Sequence, residues 1–159
     1  MPDPVRRFAV RALLVDHHDR LLLLRGEEPE SGAGFWFPPG GGVQADEDLI
    51  DALRREVSEE VGFSDLRLGP EVWRRRHRYA WRGTSYDQRE RWFLCRVPHF
   101  APDGAGRTAT ETVDLTRCRW WTVAELARAT ERLVPGDLAD RLRRLLADGP
   151  PAKPETIGR

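Results

Sequence analysis

Apolar and polar positions follow two different periods along this chain, and the change of period divides it into elements. Residues 8–16 and 20–25 are apolar runs that read as strands. His17, His18 and Asp19 make a short polar break between them, which suits a hairpin. Residues 27–34 form a polar loop containing Pro29, Gly32 and Gly34. From residue 50 the period becomes helical: Ile50, Leu53, Val57 and Val61 recur on one side. Residues 66–76 and 89–97 read as two further strands, with 79–88 as a turn or mobile excursion between them. Residues 98–110 are loop, and residues 119–122 are a short strand. A helix begins at 123–132 with Thr122 as its N-cap, and 138–146 is an amphipathic helix with Leu138, Leu142, Leu145 and Leu146 on one side. Strands, a helix, more strands and a closing helix predict one domain over residues 1–148, with a mixed sheet covered by helices. Residues 149–159 hold three prolines and little apolar content, so a flexible tail is expected there.

The densest chemistry lies in GGVQADEDLIDALRREVSEEVGF, residues 41–63. A helix advances about 100° per residue, which puts Glu56, Glu59 and Glu60 in one arc beside the apolar side. Asp46, Glu47 and Asp48 crowd the helix start, where negative charge suits the dipole, and Gly62 stands where a left-handed cap is expected. Three carboxylates on one face repel each other, and Arg55 alone does not balance them. A hard dication with oxygen ligands, Mg²⁺ or Mn²⁺, does. The plain alternative is a solvated face rich in Glu and Arg. The loop upstream argues against it: Phe35-Trp36-Phe37-Pro38-Pro39-Gly40-Gly41-Gly42 runs straight into the helix. Its glycines allow close backbone approach, presenting carbonyls to a metal or amides to a phosphate.

Gly41, Glu47, Arg55, Glu56, Val57, Glu59, Glu60, Gly62 and Phe63 together give the form G-x5-E-x7-R-E-φ-x-E-E-x-G-φ, with φ apolar. This resembles the signature of the Nudix hydrolases (MutT-like), which cleave diphosphate bonds in nucleoside diphosphates linked to another group. The flanks Trp36-x-x-Pro39-Gly40-Gly41-Gly42 and Trp120-Trp121-Thr122-Val123-x-Glu125-Leu126 are similar to the family as well. The resemblance implies an α+β Nudix fold, a mixed sheet in an α/β/α sandwich. It implies that Glu56, Glu59, Glu60 and the Gly40 carbonyl bind Mg²⁺ or Mn²⁺, that Arg55 orients the carboxylates, and that Glu47 braces the loop. Gly41 and Gly62 are then structural parts of the motif. Family members often carry one more catalytic carboxylate in a later loop; Glu111 is assigned that role here, with Glu90 second. The simpler role for Glu90 is as cross-strand partner of an Arg. Two positions depart from the pattern: Gln44 stands where Glu is common, and Asp46 where Gly is common.

A second notable segment is Trp73-Arg74-Arg75-Arg76-His77-Arg78-Tyr79-Ala80-Trp81-Arg82. Arg grips phosphate with paired N–H donors and aromatics stack bases, so Arg76, Arg78, Tyr79 and Trp81 are the candidate substrate contacts. The alternative is a strand with a solvated basic face and Trp73 in the core. A formal net charge of zero supplies no global field for nucleic acid or membrane, so the expected partner is a small nucleotide. No apolar stretch resembles a signal peptide or a membrane span, and Cys95 and Cys118 have no metal-ligand spacing, which together suggest a cytoplasmic enzyme. A homodimer would be in keeping with the family.

The expected reaction is metal-dependent hydrolysis of a P–O–P bond, giving a nucleoside monophosphate plus pyrophosphate or a phosphorylated product. The competing reading is a non-catalytic nucleotide-sensing module of the same fold, which the complete set of carboxylates disfavours. Nucleoside triphosphates are favoured slightly over ADP-ribose, nucleotide sugars and dinucleoside polyphosphates.

Overall fold

The computed structural model describes residues 2–103 and 118–158. In chain order the elements are β1 (Val5–Val15), β2 (Leu21–Glu27), β3 (Gly34–Phe37), β4 (Gly40–Gly42), α1 (Leu49–Val61), β5 (Glu71–Trp81), β6 (Thr84–Arg96), β7 (Cys118–Trp121), α2 (Val123–Ala127), β8 (Arg132–Leu133), α3 (Leu138–Asp148) and β9 (Glu155–Ile157). The described strands form one mixed sheet in the order β8-β3-β2-β1-β6-β5-β9, with β4 also paired to β1 and β7 to β2.

Alternation along the central strand β1 explains the layers. Val10, Ala12 and Leu14 point to one face and Leu13 and Val15 to the other, and all are buried. On the first face they pack with Leu22, Leu24 and the α1 residues Ala52, Leu53, Val57 and Val61. On the second, Leu21, Leu23, Trp73 and Trp92 pack with Leu126, Leu138, Leu142 and Leu145 from α2 and α3. A sheet buried on both faces needs helices on both faces, and the result is an α/β/α sandwich. Ile50, expected on the packed side of α1, is instead 40% exposed. Leu49 and Ala52 on either side of it take the contacts with the first core.

Four local expectations are corrected. Residues 79–88 are not an excursion: β5 and β6 continue as a long antiparallel hairpin from Arg74↔Arg91 to Trp81↔Thr84. The turn is Arg82-Gly83, with φ of 50° and 80°, the double left-handed turn that matches strand twist. Arg in the first turn position hid that signal. Residues 34–42 read as loop because of their Gly and Pro, yet they supply β3 and β4. The helix expected at 123–132 ends after five residues. Residues 149–159 are not wholly a tail: β9 pairs in parallel with β5, and Ile157 is buried in the second core. A single apolar residue among prolines carries too little pattern for that strand to be read. Among the described residues, no helix is long and apolar enough to cross a membrane.

Candidate active site

The site is assembled from α1 and the three glycines of β4. Asp48 caps α1, its side chain accepting from the Asp51 amide at 2.8 Å. Gly62, at φ 75°, ends the helix and donates to the Ser58 carbonyl at 3.0 Å. Asp46 takes φ 64°, so the loop keeps the left-handed backbone that a glycine would adopt more cheaply. β4 lies antiparallel to β1, with Gly40 opposite Arg11, Gly41 opposite Val10 and Gly42 opposite Ala9. Gly40 has φ 150°, and any Cβ there would collide with the Val10 carbonyl. A Cβ on Gly41 would lie 2.5 Å from Glu56 Oε1. The glycines therefore let the helix carboxylates lie directly on the strand backbone.

Glu60 is 4% exposed and accepts the Gly40 amide at 2.9 Å. Arg55 joins the rest of the set. Its Nε and Nη2 donate to Glu47 at 2.8 and 3.0 Å, and Nη2 also reaches the Gly42 carbonyl at 3.1 Å. Its Nη1 donates to Glu56 at 3.0 Å and Glu59 at 3.4 Å. One guanidinium thus ties three carboxylates to the loop. Hydrogen bonds from Arg55 and from the Gln44 amide pull the Glu47 pKa down from 4.5 to about 2. The Glu47–Arg55 contact is therefore fully stabilising above pH 4.5 and is lost as pH falls toward 2. Thermal melts of wild type and Glu47→Gln as a function of pH should show the wild-type advantage shrinking through that window. An advantage independent of pH would remove this role.

Among the described residues, no group of three His, Cys, Asp or Glu side chains stands close enough together to hold a metal ion. Mg²⁺ does not require one, since it keeps several waters and takes one or two carboxylates plus substrate oxygens. Glu56 and Glu59 retain exposed side-chain surface beside the glycines, and every donor is oxygen. That donor set fits a hard dication open to a phosphate ligand.

Glu111 lies outside the described residues. Glu90 is buried on the face of α3 and stands directly opposite Arg75 across the β5–β6 pair. It accepts from Arg75 at 3.1 Å, Gln88 at 2.6 Å and Trp92 at 3.2 Å, with Arg11 at 3.6 Å. Burial works against its charge, but Arg11, Arg75 and Gln88 outweigh it and hold its pKa below the ordinary value. Glu90 is the partner of arginines. Arg76, Arg78, Tyr79 and Trp81 do not form one grip: strand alternation sends the two arginines to the face opposite the two aromatics. Arg76 binds Asp87 through two hydrogen bonds of 3.0 and 2.8 Å, with Arg78 3.9 Å away. Tyr79 stacks between His77 and Tyr86 and donates to Gln88 at 3.0 Å.

Two arrangements escaped the sequence reading. Arg11 sits opposite Gly40, over the Phe37 ring and within 3.4 Å of the Pro38 carbonyl. Arg25 and Trp36 both donate to Glu131, tying β2 and β3 to the segment after α2. The signal was the same in each case: an Arg within an apolar stretch of strand needs a polar partner.

The site is thus a glycine cradle under an acidic helix on a sandwiched mixed sheet. The NUDIX domain model matches residues 5–144, and the chain belongs to the Nudix hydrolase family. An RNA pyrophosphohydrolase of Roseobacter denitrificans is 30% identical over 128 residues, covering 69% of this chain and 72% of that protein. The Danio rerio m7GpppN-mRNA hydrolase NUDT17 is 43% identical over 63 residues, 39% of this chain, and the match spans only 20% of that protein. Among solved structures, the MutT protein of Methanosarcina mazei Go1 superposes with a TM-score of 0.58 at 21% identity, covering 91% of this chain and 97% of that one. At that identity the likeness is one of fold.

Proposed function

We propose that this protein hydrolyses a P–O–P bond in a nucleoside diphosphate derivative, with Glu56, Glu59, Glu60 and the Gly40 carbonyl as the ligand set for bound divalent cations. The observation that carries this reading is the contact between buried Glu60 and the Gly40 amide, with Glu56 laid against Gly41. It fixes the carboxylates against a strand whose backbone can approach a phosphate closely. Mg²⁺ or Mn²⁺ bound there would neutralise phosphate charge and lower the pKa of an attacking water. Arg55 positions Glu56 and Glu59 and, with Glu47 held ionised, anchors the loop to the helix. A carboxylate, Glu111 or one from α1, accepts the proton as water attacks phosphorus. Products are a nucleoside monophosphate plus pyrophosphate or a phosphorylated remainder.

Relatives named as a pyrophosphohydrolase and as phosphatases support the reaction class, while names such as m7GpppN-mRNA hydrolase and 8-oxo-dGDP phosphatase divide over substrate. Nucleoside triphosphates are our leading class. A panel of triphosphates, ADP-ribose, nucleotide sugars and dinucleoside polyphosphates with Mg²⁺, each repeated with EDTA, tests both points. Phosphate or pyrophosphate release from one class, abolished by EDTA, is the expected outcome. Release that EDTA leaves unchanged would contradict the metal role. A folded protein that binds nucleotide tightly without turnover would favour a sensor.

A further inference from the structure

α1 covers only part of its sheet face. Beyond Leu49 no described element covers the N-terminal half of β1 or the β5–β6 hairpin, and among the described residues the side chains on that face are nearly all arginine. Arg74, Arg76 and Arg78 alternate along β5, with Arg91, Arg89 and Asp87 opposite them in register on β6. Phe8 and Arg6 follow on β1, opposite Arg89 and Asp87. Two carboxylates accompany these six arginines. Glu71 is shared by Arg74 at 2.9 Å and Arg91 at 2.8 Å, and Asp87 by Arg76 and, more distantly, Arg78. Hydrogen bonds from Arg91 and Arg76 hold Glu71 and Asp87 at about 2 and about 2, so both are ionised at neutral pH. The face therefore keeps an excess of four positive charges although the chain as a whole is neutral.

We propose that this arginine face binds single-stranded nucleic acid along its phosphate backbone, at a surface distinct from the carboxylate site. Each guanidinium carries five N–H donors, and a two-bond pairing with a carboxylate leaves donors free for phosphate. The shared carboxylates preorganise the arginines, so little side-chain entropy is lost on binding. Same-face positions recur every 7 Å or so along a strand and about 4.8 Å between strands, an array that an extended phosphate chain can follow. Phe8 stands 60% exposed among the arginines, a flat apolar ring in reach of a base. A depression of ≈ 450 Å³ lies there, lined by Phe8, Leu49, Arg74, Arg76, Arg89 and Arg91. Arginine with an interleaved aromatic suits a nucleic-acid strand better than an acidic peptide, which offers no bases to stack.

The test uses the full chain and a 3′-labelled oligouridylate of about 12 nucleotides with a 5′-hydroxyl, followed by fluorescence anisotropy. That probe has no P–O–P bond, so a failure of the hydrolase reading would not affect the result. Binding is expected to weaken about fifty-fold between roughly 50 and 200 mM salt if four phosphates are contacted. Arg76→Ala/Arg89→Ala should weaken it at least about tenfold and lower the salt slope by about 1.4. Phe8→Ala should weaken it about fivefold or more. Glu60→Gln should leave it unchanged, and circular dichroism checks that each variant folds. The proposal is overturned if the oligonucleotide does not bind, or if it binds the arginine variant as tightly as wild type. It is equally overturned if a glutamate peptide of equal charge competes as well as the oligonucleotide, which would make the face a protein-docking surface.

Discussion

Glu60→Gln should lower kcat by at least about 10³-fold, equivalent to about 4 kcal/mol of transition-state stabilisation, while the protein stays folded. The side chain is buried and meets the Gly40 amide through one oxygen. Glutamine keeps an acceptor for that amide, so the contact between helix and cradle survives. What it loses is the negative charge that a dication needs. Turnover of the best substrate, measured beside a thermal melt, separates the two effects. Wild-type activity in a folded Glu60→Gln protein would remove Glu60 from the reaction.

The largest stability effect should come from Glu90→Ala. It would leave Arg75, whose side chain is only 5% exposed, without its carboxylate, and Arg11, Gln88 and Trp92 would lose the same partner. Breaking a buried ion pair on one side costs about 3–5 kcal/mol. Urea denaturation should place Glu90→Ala that far below wild type, with Glu90→Gln closer because it retains hydrogen-bonding groups. The folded pKa of Glu90 is depressed, so its contribution is whole above the unfolded value of 4.5 and is lost as pH falls through the lowered one. The gap between wild type and Glu90→Gln should therefore narrow in acid. A loss below about 1 kcal/mol for Glu90→Ala would mean that Arg75 finds water or another partner, contrary to the burial described.

The acidic helix was legible because its chemistry is local. Spacing alone places Glu56, Glu59 and Glu60 on one arc, and Asp48 and Gly62 mark its ends. β1, β2 and α3 were legible for the same reason, since each carries its own apolar period. What escaped was set by partners distant in sequence. β4 is three glycines whose strand character comes from β1, and β9 is held by β5. The Arg82-Gly83 turn depends on an arginine tolerating a left-handed backbone, which no pattern announces. For the basic segment the structure bears out the strand with a solvated basic face and Trp73 in the core, and it divides Arg76 and Arg78 from Tyr79 and Trp81 between two faces. Only the register of β5 on β6 reveals that Arg76 belongs with Arg89, and Tyr79 with Gln88 and Tyr86.

The central claim is that water attacks phosphorus under carboxylate-held metal. The most direct measurement is turnover of the preferred substrate in ¹⁸O-labelled water with Mg²⁺, read by mass spectrometry of the products. The account predicts one ¹⁸O per bond cleaved, carried on a phosphate group, with no labelled product when EDTA replaces Mg²⁺ or when Glu60→Gln replaces wild type. Label in a product other than phosphate, or equal labelling in EDTA, would contradict it.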